Sequence, residues 1–227
     1  MGKPSEKVLE QKAENFINSH NSSLVSAYLL QKYFVQKPQP DLDKLRKLTD
    51  HMTGELKDRP FIDALITQLE SDENVVAGKT IPYFRLPNTQ GKDISRSDFS
   101  NKYLLVHFWA SWDEQSRNEN AMYRRLYNKL QKNNSFALLG ISLDLDKKEW
   151  KDALKSDTLK WEQVCDFKGW ESEPIRQLAI QALPTNILIA PSGKIEGKGL
   201  NEEAIEKKIK DIEQTEKEQK SKNLKAR

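Results

Sequence analysis

Four side chains in this sequence could carry chemistry by type: His107, Asp113, Ser116 and the lone thiol Cys165. The first three lie within FWASWDEQSR and just before it, and together they supply a nucleophile, a base and an acid. Ser116 follows Asp113 by three residues, one helical turn, so the two share a helix face. His107 lies on the preceding apolar run, directed towards that helix, where free N–H groups could bind an oxyanion. Asp113 falls at the helix start and not behind the imidazole, which breaks the ordered relay from acid to base to nucleophile. Hydrolysis is therefore a minor reading, and a buried, hydrogen-bonded His107 the plainer one. A metal site built on His107 and Asp113 lacks a third ligand, and the pattern calls for no metal and no cofactor. Asp113 reads first as a helix N-cap and Ser116 as a small filler one turn in. Trp109 reads as packing at the strand end, and Trp112 as a rim residue equally suited to contact a ligand.

The elements that must position these residues follow from periodicity. YLLVHFWA (residues 103–110) is apolar on both faces, as a central strand requires, and residues 113–132 follow as a helix. FALLGISL (136–143) is a second buried strand, 147–155 a helix, 161–165 a short strand and 172–180 a helix. NILIA (186–190), a Pro191-Ser192-Gly193 turn and a return strand to Leu200 come next, with a closing helix from Glu202. Ahead of them, 81–86 reads as a short strand broken by Pro82, and 88–92 as a turn. Strands separated by helices and finished by a hairpin plus helix give an α/β three-layer sandwich.

The first 74 residues read differently. Leu9, Ala13, Phe16 and Ile17 share one helix face. NSHNSS caps a second helix carrying Leu24, Val25, Tyr28, Leu29 and Leu30, and KPQPD is a loop whose Asp41 caps a third with Leu42, Leu45, Leu48, Met52 and Leu56. Pro60 opens a fourth, through Phe61, Ile62, Leu65 and Leu69. Stripes this narrow suggest too little apolar cover for a self-contained bundle, so the segment is expected to rest against another surface. The reading is a helical segment over 1–74, an α/β domain over 75–213 and a charged tail over 214–227, the frayed end of the last helix.

Composition limits the partners. The 227 residues are 37% hydrophobic and 31% charged, with 37 Lys plus Arg against 34 Asp plus Glu, for a formal net charge of +3. Those values fit a globular chain with dispersed basic residues and no nucleic-acid partner. One cysteine allows no intramolecular disulfide and no cysteine-rich metal site. The N-terminus has no apolar run resembling a signal peptide or a membrane span, and Glu6 stands where a myristoylation signal on Gly2 would need Ser or Thr. Met-Gly-Lys-Pro reads as an added or trimmed start. Nothing in the pattern specifies an oligomeric state.

Several motifs together carry a family resemblance. FWASW at a strand end, Leu183-Pro184-Thr185 ahead of a later strand and APSGKI after it resemble thioredoxins. GKTIPYFRLPNTQGKDISRSDF (78–99), GISLDLDKKEW (140–150) and WEQVCDFKGW (161–170) resemble the TlpA-like and AhpC-TSA-type thiol-disulfide oxidoreductases of Bacteroides-type bacteria. The likeness runs from about Val75 to Ile212, and the helical leader resembles the segment these proteins carry between an N-terminal β domain and the thioredoxin core. The resemblance implies a thioredoxin-like fold, a cis bond at Pro184, a cell-envelope location and an extended peptide or envelope protein as partner. It also implies a groove formed by Trp112, Leu183, Pro184 and Thr185.

Against that family pattern, Asp113 and Ser116 occupy the positions of the attacking and resolving cysteines, and His107 that of the buried acid. Thiol exchange needs a thiolate at the helix N-terminus and a second thiol one turn on. Neither a carboxylate nor a hydroxyl forms a mixed disulfide, so the DxxS site implies a redox-inactive binding or scaffold module. The alternative is an enzyme in which Cys165 or a partner's thiols act. Cys165 lies far from the helix start, in WEQVCD, where a buried inert thiol is the plain reading.

Overall fold

The structure is a computed structural model that describes residues 5–36, 41–131 and 133–225. The chain divides into two compact units, Met1–Glu73 and Asn74–Arg227. The expected Lys37–Asp41 loop falls, but for Asp41, outside the described residues, as do Met1–Pro4.

In the first unit, α1 (Glu6–Ser19), α2 (Leu24–Leu30), α3 (Leu42–Asp50) and α4 (Pro60–Asn74) share a buried cluster that includes Ile17, Leu30, Phe34, Leu48, Met52, Ile62 and Leu69. Ser23 accepts from the Val25 N–H and Asp41 from the Lys44 N–H, so both expected caps satisfy first-turn donors. The helices thus cover one another, contrary to the expected shortage. A π-helical turn over Gln31–Val35 continues α2, and the buried residues along the two are Ser26, Leu30 and Phe34, four residues apart. Leu24, Val25 and Tyr28, expected to face the core, are exposed instead.

In the second unit a hairpin of β1 (Arg85–Pro87) and β2 (Asp93–Ser95) precedes a five-stranded sheet. Its strands are β3 (Tyr103–Trp109), β4 (Phe136–Ser142), β5 (Glu162–Val164), β6 (Thr185–Ile189) and β7 (Ile195–Lys198), in spatial order β5-β4-β3-β6-β7. β3, β4 and β5 are parallel, while β6 runs antiparallel to β3 and β7 to β6. The crossover helices are α5 (Glu114–Leu130), α6 (Lys147–Ser156) and α7 (Glu173–Gln177), and α8 (Glu202–Lys225) closes the unit.

Alternation along β3 builds the two cores. Leu104, Val106 and Phe108 pack with Phe84, Leu86, Ile94 and Ile175 on one face. Leu105 and Trp109 pack on the other with Tyr123 and Leu126 of α5, Trp150 of α6 and Ile205 and Ile209 of α8. The result is a three-layer α/β/α sandwich.

Two elements depart from expectation. The strand expected over 81–86 forms only at Arg85–Pro87. Pro82 has no N–H to give a ladder, and the preceding residues attach to the β6–β7 hairpin through Ile81 N–H to Gly193 O and a Thr80–Lys194 bridge. The helix expected to reach residue 180 stops at Gln177, because Ala179 takes a left-handed φ of 50°. Its N–H then donates to Arg176 O and that of Ile180 to Ile175 O, a Schellman closure.

Candidate functional site

β3 delivers its last side chain, Trp109, into the core, and the chain then turns through Ser111 and Trp112 to Asp113. Asp113 is the N-cap of α5: its backbone is extended, and its carboxylate accepts from Ser116 N–H at 2.7 Å. One otherwise orphaned helix donor is thereby satisfied, and a negative charge meets the positive end of the helix dipole. Ser116 is buried, and its Oγ has no hydrogen-bond partner among the described residues. Trp112 stands 53% exposed beside the turn.

Asp144, just past β4, fixes that turn. Its buried carboxylate accepts from Ser111 N–H at 3.1 Å and from the hydroxyls of Ser111 and Ser142. Arg117 braces it from the other side, donating to Ser111 O at 3.3 Å while its Nε and Nη2 hold the Asp157 carboxylate. That hydrogen-bonded pairing raises the Arg117 pKa above its ordinary value. Neither Asp144 nor Arg117 stood out in the sequence; the available signal was an acid immediately after a buried strand, at the strand's carboxyl end where α/β sheets build their sites.

Beneath α5 lies a buried polar group that includes His107. The Nε2 of His107 accepts from Trp161 Nε1–H at 3.0 Å, and its ring stacks on Tyr123 with centroids 4.3 Å apart. Full burial lowers the imidazole pKa from 6.5 to about 3, so the ring is neutral. The Tyr123 hydroxyl, its own pKa raised by burial, accepts from Asn186 Nδ2 at 3.2 Å. Beside it Trp109 Nε1–H donates to Gln163 Oε1 at 3.1 Å. Gly140 makes room for that contact: a Cβ there would lie 1.9 Å from the Gln163 Oε1. Trp161, Gln163 and Cys165 share one face along β5 and the residues on either side of it by simple alternation, a pattern present in WEQVC.

The structure brings Asp113 and Ser116 together, and no hydrogen bond among the described residues joins His107 to either. His107 is engaged by Trp161, and Ser116 Oγ has no partner among the described residues, so none of their bases is bonded to the hydroxyl. Leu183–Pro184 is a cis peptide, and pairing of Thr185 with Phe108 sets it at the end of the sheet where β3 enters the turn. Among the described residues, nothing bonds the Leu183 amide or carbonyl. Cys165 is buried, its Sγ 3.5 Å from Asp144 O, and burial pushes its thiol up to about 11. Among the described residues, no group of three His, Cys, Asp or Glu side chains is placed to hold a metal ion.

The model of the AhpC/TSA family matches residues 77–198, more than half of the sequence. The chain belongs to the AhpC/TSA family. A solved thiol-disulfide oxidoreductase from Bacteroides fragilis is 50% identical, with a TM-score of 0.57, over 59% of this chain and 99% of that one. The thiol-disulfide oxidoreductase ResA of Bacillus thuringiensis is 29% identical over 124 residues, 55% of this chain and 69% of the relative. A thioredoxin-like protein from Bacteroides caccae is 19% identical and superposes over 89% of this chain and 76% of its own with a TM-score of 0.65, a likeness of fold. The fold is therefore thioredoxin-like, and the family is one of thiol-disulfide oxidoreductases. No helix among the described residues is long and apolar enough to cross a membrane.

Proposed function

We propose that this chain is a redox-inactive member of its family, a binding or scaffold module of the bacterial envelope that holds an extended segment of a partner protein along Trp112, Leu183, Pro184 and Thr185. One observation carries the reading. The first turn of α5, where disulfide exchange needs a thiolate, holds a carboxylate already committed to Ser116 N–H. The chain's one thiol is buried under Asp144 with its pKa pushed up, which works against both nucleophilic attack and oxidation. A peptide groove needs no sulfur. An exposed indole and a free main-chain amide and carbonyl at Leu183 suit an extended strand, whose backbone supplies the matching donor and acceptor.

The test is reduction of insulin disulfides with dithiothreitol, run on the wild type and on the Asp113→Cys, Ser116→Cys double variant. The wild type is expected to stay at the uncatalysed rate and the double variant to exceed it. Turnover well above background by the wild type would overturn the proposal.

A further inference from the structure

Beside Trp112, between the start of α5 and α6, lies an open cavity of about 540 Å³ whose walls include Trp112, Arg117, Glu149, Asp152 and Ser156. Helical spacing sorts the charges of α6. Glu149, Asp152 and Ser156 fall on the cavity side at intervals of three and four residues, while Lys147, Lys148, Lys151 and Lys155 cluster on a different side. No ion pair or hydrogen bond joins the Glu149 or Asp152 carboxylate to another described residue. Arg117, the one cation among the described residues of the wall, is spent on Asp157 through both Nε and Nη2. What remains open to a ligand is an indole 53% exposed and two uncommitted carboxylates.

We infer that this cavity is a recognition pocket for a basic side chain, with arginine the best fit, presented by the protein segment bound alongside. A guanidinium can lie flat on the Trp112 ring while its N–H groups reach Glu149 and Asp152; a neutral side chain loses the charge in both contacts, and an acidic one is repelled by the carboxylates. The pocket adds selectivity that main-chain pairing at Leu183 cannot supply, because backbone groups are common to every peptide. The inference rests on the peptide-binding reading for its context, but the pocket can be measured without the groove.

The probes are Nα-acetyl-arginine amide and its uncharged counterpart Nα-acetyl-citrulline amide, titrated into the full chain at low ionic strength. The Trp112 indole N–H resonance is followed and is assigned from a Trp112→Phe spectrum. The arginine probe is expected to shift that signal saturably and to bind about threefold to tenfold more tightly than citrulline, the range expected of exposed charge and cation–π contacts. A Glu149→Gln, Asp152→Asn variant, its other resonances unmoved, is expected to bind both probes alike. Absence of a saturable Trp112 shift, equal binding of the two probes, or unchanged discrimination in the variant would overturn the inference. Insulin turnover by the wild type would instead remove the redox-inactive reading and leave this result standing.

Discussion

Lowering the pH should destabilise the sheet unit through His107, and the size of the effect follows from its burial. The unfolded imidazole takes a proton as the pH falls through 6.5, whereas the folded one, buried between Tyr123 and Trp161, does so only near 3. Between those values the unfolded chain binds more protons, so stability is full above pH 6.5 and declines as the pH falls. The whole span corresponds to roughly 5 kcal/mol at about 1.36 kcal/mol per pH unit. Linkage gives roughly 2 kcal/mol of it between pH 7.5 and pH 5, above the range in which ordinary carboxylates titrate. All five tryptophans lie in residues 74–227, so urea unfolding followed by their fluorescence reports on this unit alone. A His107→Gln variant keeps an acceptor for Trp161 and removes the titration, so subtracting its pH dependence isolates the contribution of His107. The wild type is expected to lose about 2 kcal/mol more than the variant over that interval. Equal pH dependence of the two proteins would refute the assignment of His107 as a neutral, buried acceptor.

Asp113→Ala removes the cap that holds Ser116 N–H and should cost about 1 kcal/mol in the same unfolding assay, with Asp113→Asn recovering most of it; an unchanged midpoint for the alanine variant would remove capping as its role. Cys165 should resist a thiol-specific aromatic disulfide reagent in the native protein at pH 8 and react on addition of urea, and stoichiometric native labelling within minutes would contradict its burial.

Much of the architecture is legible from hydrophobic period and turn chemistry. β3 and β4 are apolar on both faces, as central strands must be, and an aspartate directly before a helical run reads as a cap. What periodicity cannot supply is the partner of a buried polar group. The alternation of β3 puts His107 on the α5 side, yet its hydrogen bond comes from Trp161, on the strand beyond β4. Nothing local specifies that choice, and it converts a candidate base into a committed acceptor. α2 offers apolar side chains on more than one face, and period alone does not say which is covered: Leu30 and Phe34 are buried while Leu24, Val25 and Tyr28 stay outside. The role of Asp144 is not local either: its three donors come from Ser111 and Ser142, on two neighbouring segments that only the sheet brings together. A carboxylate inside GISLDLD looks like any loop acid until that proximity is known.

Gly140 and Gln163 sit on adjacent strands in paired register, and the missing side chain of one is the space filled by the other. Their fates during divergence are therefore tied. A relative that gains a side chain at position 140 must give up the long amide at 163, and Trp109 then loses the acceptor for its indole N–H. The three positions should change as a set, and the strand end leading to Trp112 and Asp113 would be resupported each time they do. Drift deep inside the sheet would thus reach the turn at Trp112 without any substitution in the turn itself.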